Sequence, residues 1–284
     1  MTEPDKQRDA APVCVVVAGY PKSGNTWLTR LVADLLDCPA RGFLTPVNHV
    51  DNACEGEARD DSKFVCFKSH HQWHELRGEQ LIDDNTVVIY VLRDPRDVAV
   101  SAANFFRLVP RGLLGRMLQP IPRATALYGA AGKKLLSEQT RIRRTVRAVL
   151  EGSALVHHWC RVSWQAHVRP FADNNCLMIR YEDLLVDAAV ECRRIVDAMQ
   201  VDRSDAEIAA AVNRQSFANR KSEFENNGQH KKARFLRSGR REQWRDKLTT
   251  QQLREFDSLL SLELKEFGYP PAFDPARATT SQTT

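Results

Sequence analysis

No stretch of the 284-residue chain approaches 18 consecutive apolar residues, so no helix is expected to span a membrane. The first residues, MTEPDKQRDAAP, lack the apolar segment of a secretory signal. The seven cysteines, at 14, 38, 54, 66, 160, 176 and 192, contain no CxxC pair, which argues against a zinc ribbon. Their odd number and scatter argue against a disulfide framework, and a reducing, cytoplasmic setting is the expectation. No internal repeat is visible. The net charge of +5 is modest, and the basic stretches 107–150 and 231–247 lack the interleaved aromatics of RNA-binding surfaces, so no nucleic-acid partner is expected. Oligomeric state leaves no signature.

What is present is ordinary globular composition, 43% hydrophobic and 27% charged, enough for one large α/β domain or two small ones. Four apolar runs, 13–19, 63–68, 86–92 and 175–181, are continuous rather than alternating. Strands of a parallel sheet covered on both faces have this character. Between and after them, 25–37, 95–106, 187–199, 204–213 and 249–266 carry helical periodicity. The expected fold is therefore a single doubly wound α/β domain with a central parallel sheet, spanning 13–271. Residues 1–12 and 272–284 read as disordered tails. In such sheets ligands bind beyond the carboxyl ends of the strands.

The first strand runs into Gly19-Tyr20-Pro21-Lys22-Ser23-Gly24-Asn25-Thr26-Trp27. Gly19, Gly24 and Thr26 keep the frame of a phosphate-binding loop, but Asn25 stands where a nucleoside-triphosphate loop has its lysine. Lys22 stands three residues earlier. Backbone N–H groups at the following helix N-terminus still form an anion cradle. A lysine on the ascending loop meets a different atom of the bound anion. No apolar strand ends in an aspartate suited to Mg²⁺, since Asp94 precedes Pro95 and reads as a helix cap. A small-molecule kinase or NTPase is thus the second reading. The other strand ends add Lys68-Ser69-His70, Arg93 with Ser101 eight residues on, and Tyr181-Glu182-Asp183. His70, His71 and His74 have one spacing compatible with metal ligation on a helix, but no acidic or cysteine partner is in range, and no metal is expected.

Taken together, these residues resemble the PAPS-dependent sulfotransferase family (PAPS is 3′-phosphoadenosine 5′-phosphosulfate). YPKSGNTW (20–27) is similar to its 5′-phosphosulfate loop, with Asn25 in place of the commoner threonine. RDPRDVAVS (93–101) is similar to its 3′-phosphate motif, and Lys68-x-His70 to its catalytic pair. FLRSGRREQW (235–244) resembles its late R-K-G-x-x-G-D-W loop: Arg237, Gly239 and Trp244 match, while Ser238, Glu242 and Gln243 depart. Tyr181, Ser216 and Phe217 match nucleotide contacts. The likeness runs in order from about 13 to about 270, and only 107–150 has no clear counterpart.

The resemblance implies sulfuryl transfer from PAPS to a hydroxyl or amine, without a metal, releasing 3′,5′-ADP. It implies His70 as general base, Lys22 at the leaving bridging oxygen and Lys68 on the sulfuryl oxygens. Ser23, Gly24, Asn25 and Thr26 would hold the 5′-phosphate through backbone and side-chain donors, and Trp27 would lie against the adenine. Arg93 and Ser101 would hold the 3′-phosphate, with Arg237, Ser238 and Gly239 closing over it.

Residues 107–150 hold ten basic residues and one acid, a local charge of +9 against −4 for the rest. Its segments 110–120 and 133–150 are amphipathic. They read either as helices packed on the sheet with a solvated basic face, or as a lid that admits a lipid-like acceptor and touches the inner face of a membrane. Phe43, Phe105, Phe106 and Phe224 hint at an apolar acceptor. His157 and His158 read as packing residues in a helix with Trp159.

Overall fold

The computed structural model describes residues 12–45, 62–106, 108, 136–228 and 241–273. Five parallel strands form one sheet in the order β2-β3-β1-β4-β5. They are β1 (Val13–Ala18), β2 (Ala40–Phe43), β3 (Phe64–Ser69), β4 (Val87–Leu92) and β5 (Leu177–Arg180). The four apolar runs became β1, β3, β4 and β5. The edge strand β2, sequence ARGF, carries no apolar run and was not expected; among the described strands it pairs with β3 alone, with a register shift.

Side chains alternate across the sheet. Val15 and Val17 of β1 and Ile89 and Val91 of β4 face a core built with α1 (Asn25–Leu35). Val16, Ala18, Tyr90 and Leu92 face the opposite core, with α3 (Pro95–Phe105). Covering both faces is what makes the strands continuously apolar. Between these helices lies the short α2 (Trp73–Gly78). Beyond them run α4 (Glu138–Glu151), α5 (Trp164–Asp173), α6 (Tyr181–Val186), α7 (Ala188–Ala198), α8 (Asp205–Arg214), α9 (Phe217–Asn226), α10 (Trp244–Lys247) and α11 (Thr250–Glu266). α2, α5, α6, α9 and α10 were not anticipated; most are short, with little room for a repeating apolar pattern.

Within 107–150, residue 107 and residues 109–135 lie outside the described residues. The described remainder is Leu108 and residues 136–150, from Glu138 on part of α4, which is capped by Ser137, whose Oγ accepts the Thr140 N–H. Its apolar face, Ile142, Val146 and Val149, is buried in the core, and Thr145 Oγ1 donates to Ala99 O on α3 at 2.8 Å. In 136–150 the apolar face is used for packing, while Arg143 and Arg147 face solvent. Of the residues read as a C-terminal tail, 272 and 273 are held: their N–H groups donate to the Asp257 carboxylate at 3.1 to 3.4 Å. Residues 1–11 and 274–284 lie outside the described residues. No described helix is long and apolar enough to cross a membrane.

Gly19, just past the end of β1, lies against β4. A Cβ there would stand 2.7 Å from Val91 Cγ1, 2.8 Å from Val91 O and 2.9 Å from Asn25 Nδ2. Two of these neighbours cannot swing away, since one is backbone and one is held in the core. Gly19→Ala is therefore expected to lower unfolding free energy by about 1–3 kcal/mol through overpacking, read as a lower urea midpoint at unchanged slope.

Candidate active site

The loop after β1 turns on a Ser23 N–H to Tyr20 O bond of 3.1 Å and enters α1 at Gly24. Lys22 has a left-handed φ of 75° and Gly24 a φ of 109°. Helix geometry leaves the N–H groups of Asn25 and Thr26 without backbone acceptors four residues back. Ser23 Oγ is fully buried and has no hydrogen-bond partner. Donors facing a helix N-terminus beside an orphaned hydroxyl fit a phosphate group. Only glycine fits at 24, because a Cβ would lie 2.6 Å from Tyr181 Cδ2.

Asn25 behaves differently from a threonine. Its side chain is buried, and Nδ2 donates to Ser69 O at 3.0 Å and Gly19 O at 3.3 Å. It clamps the end of β1 to the end of β3, so towards an anion it offers its backbone N–H rather than its amide.

Around the cradle the predicted residues fall into two groups. On the base side, Trp27 Nε1 donates to Gln215 O at 3.0 Å, next to Ser216, and its ring meets Tyr181 edge-on at 5.7 Å. Ser216 is the N-cap of α9, which Phe217 begins. Arg93 lies under the loop, with Nη1 donating to Lys22 O at 3.0 Å and its guanidinium 4.3 Å from the Tyr181 ring. Ser101 follows Asp97 by one turn of α3 on the same face. Asp97 accepts the N–H groups of Glu242 (2.7 Å) and Trp244 (3.1 Å), which anchors the late loop to α3. The Arg96 guanidinium, paired with Asp94, packs 4.0 Å from the Trp244 ring. Arg237, Ser238 and Gly239 lie outside the described residues.

The other group surrounds His70. Its Nδ1 donates to Gly19 O at 2.7 Å, which leaves Nε2 as the acceptor nitrogen. Burial pushes its pKa down to about 3, so the ring is neutral near pH 7. Lys68 Nζ sits 4.3 Å from the Phe43 ring, itself 5.8 Å from the His70 ring. Lys22 Nζ sits 3.5 Å from the Phe105 ring. Phe106 stacks on His157 at 4.6 Å, and Trp159 lies 6.1 Å from His70 and 4.7 Å from His71. His157 and His158 are therefore not in an α-helix: His157 caps a 3₁₀ turn, His158–Cys160, and joins the ring wall. Phe224 lies elsewhere, buried between Arg30 and Arg220. His71 precedes α2 and bonds Ser69 Oγ at 2.9 Å and Thr45 Oγ1 at 3.3 Å, so it shares no helix face with His74. Among the described residues no group of three or more His, Cys, Asp or Glu is placed to hold a metal.

The family model for the sulfotransferase domain matches residues 12–268. The chain belongs to the sulfotransferase family. This sulfotransferase is 23% identical over 272 residues to the amine sulfotransferase of Oryctolagus cuniculus, covering 89% of this chain and 81% of that one. It is 23% identical over 278 residues to the 3-beta-hydroxysteroid sulfotransferase of Cavia porcellus, with 92% and 86% covered. Among solved structures, mouse sulfotransferase SULT7A1 complexed with PAP superposes with a TM-score of 0.55 at 21% identity, over 90% of this chain and 88% of that one. Retinol dehydratase in complex with androsterone and PAP gives 0.54 at 18% identity, over 93% and 83%. These two likenesses are of fold.

The sulfotransferase keeps several imidazoles neutral. Burial lowers His157 and His167 to about 4, against an ordinary value near 6.5. Below pH 6.5 the unfolded chain takes up protons that the folded one refuses, so this stability is full above 6.5 and drains as pH falls towards 4. For His167, which is 1% exposed, the loss between pH 6.5 and 5 is on the order of 2 kcal/mol. Urea midpoints measured across that range should fall, and His167→Gln should flatten the slope; a slope unchanged by the substitution refutes the assignment.

Proposed function

We propose that this sulfotransferase moves the sulfuryl group of PAPS to a hydroxyl or amine on a small acceptor, releasing 3′,5′-ADP. The observation that carries this reading is the tautomer of His70 fixed by its Nδ1 bond to Gly19 O, which leaves Nε2 as the acceptor nitrogen, with Lys68 near enough to act on the ring's charge. In the reaction the acceptor oxygen or nitrogen attacks sulfur as its proton passes to His70 Nε2. The sulfur–oxygen bond to the nucleotide breaks in line. Lys22 stabilises charge on the departing bridging oxygen, and Lys68 the sulfuryl oxygens. Catalysis is then positioning plus electrostatic stabilisation, with no metal.

For the donor, Ser23, Gly24, Asn25 and Thr26 hold the 5′-phosphate, Asn25 through its backbone. Trp27, Tyr181, Ser216 and Phe217 border the adenosine. Arg93 and Ser101 take the 3′-phosphate, with Arg237, Ser238 and Gly239 over it. For the acceptor, Phe43, Phe105, Phe106, His157 and Trp159 supply apolar and aromatic surface, which favours an amphiphilic or lipid-like molecule with a flat or apolar body. The domain is taken as 13–271, with 107–150 as an insert on the acceptor side and the protein working in the cytoplasm. Membrane contact through 107–150 draws no support from 136–150, whose apolar face is buried. Co-sedimentation with anionic vesicles at low salt decides that point, and failure to co-sediment removes the membrane from the reading.

Calorimetric titration tests the donor. Wild type should bind 3′,5′-ADP without Mg²⁺ and ignore ATP. Ser101→Ala should weaken 3′,5′-ADP about tenfold and Arg93→Ala about a hundredfold or more, since both remove hydrogen bonds to a charged group. Tighter binding of Mg²⁺-ATP than of 3′,5′-ADP would instead make the chain a kinase or NTPase.

A further inference from the structure

His70 donates from Nδ1 to Gly19 O, and the same peptide unit carries the Tyr20 N–H. That N–H donates to Tyr90 Oη at 3.2 Å. Tyr90 Oη lies 2.8 Å from His167 Nδ1, and His167 Nε2 lies 3.2 Å from His70 O. A carbonyl only accepts, so His167 Nε2 must carry the proton. The neutral ring then has a lone pair at Nδ1, which takes the Tyr90 hydroxyl proton. The Tyr90 oxygen in turn accepts the Tyr20 N–H. Every donor meets an acceptor with one consistent set of proton positions.

The bonds close on themselves. They run from the His70 ring to the 19–20 peptide, to Tyr90, to His167, and back to the His70 carbonyl. Tyr90 is fully buried and His167 nearly so, so water does not compete with these bonds. The His167 ring is packed edge-on to Tyr20 at 5.5 Å and stacked on Phe171 at 5.6 Å. Neither Tyr90 nor His167 belongs to the cradle, the lysines or the ring wall.

We infer that His167 and Tyr90 are positioning residues for His70: by orienting the 19–20 peptide plane and the His70 backbone, they hold the His70 ring as the Nδ1–H tautomer with Nε2 free to take a proton. This rests on the reading of His70 as general base. If the peptide plane turns, Gly19 O leaves Nδ1, and the ring is free to rotate or to move its proton to Nε2, where it cannot act as a base.

The test uses Tyr90→Phe, His167→Leu and His167→Gln in the full-length protein. Gln retains a donor towards His70 O and an acceptor towards Tyr90, so it serves as the rescue. Turnover of PAPS with a phenolic acceptor should fall about tenfold to a hundredfold in Tyr90→Phe and His167→Leu, and recover in part in His167→Gln. Affinity for 3′,5′-ADP should stay within about twofold throughout, separating base positioning from donor binding. Ring ¹⁵N spectra of wild type near pH 7 give a readout independent of turnover and of whether variants fold: His70 protonated at Nδ1, His167 at Nε2, both neutral. In Tyr90→Phe the His70 signals should shift towards the Nε2–H form. Opposite tautomers in wild type, or unchanged turnover and His70 signals in Tyr90→Phe, overturn the inference. Should wild type show these tautomers yet fail to bind 3′,5′-ADP, the hydrogen-bond ring stands and the sulfotransferase mechanism falls.

Discussion

The peptide unit joining Gly19 to Tyr20 lies where β1 gives way to the loop, and both of its polar ends are used. Its carbonyl accepts from His70 Nδ1 and Asn25 Nδ2, and its N–H donates to Tyr90. β4 presses on it so closely that residue 19 has no room for a side chain. The anion cradle, the end of β3 with Lys68 and His70, and the core tyrosine are thereby held to one plane. A buried peptide unit without partners would be costly, so the surrounding groups are under pressure to keep it in place.

Charge is handled by sorting. Asp94, Asp97 and Glu182 are buried and work as struts: Asp94 caps α3 and pairs with Arg96, Asp97 holds two backbone N–H groups, and Glu182 receives the Asp94 N–H and the Tyr269 hydroxyl. Burial raises Asp97 to about 6, a cost its backbone donors and Arg93 offset in part. Lys22, Lys68 and Arg93 each have an aromatic ring against the charge. Rings against cations favour the charged form.

The histidines follow the same logic in reverse. In a water-poor wall beside two lysines an imidazolium is doubly penalised, by desolvation and by like charge. His70 and His157 are accordingly neutral, and the ring wall stays compatible with an apolar acceptor.

The sequence by itself determined the parallel sheet and the loop frame after its first strand, because those features are local. A strand covered on both faces must be apolar throughout, and a phosphate loop needs small residues at set intervals before a helix. β2 escaped because its register comes from β3 rather than from its own four residues. Phe224 and Phe43 look alike in sequence, yet one is buried beside two arginines and the other borders His70. The inward turn of Asn25 depends on carbonyls at 19 and 69. Trp159, His157, Tyr90 and His167 join the site only when α5 and the 3₁₀ turn pack beside β4 and β3. Tertiary structure decided these roles, because a hydrogen bond between residues 70 and 167 is set by the packing of distant elements and leaves no spacing in the chain to read.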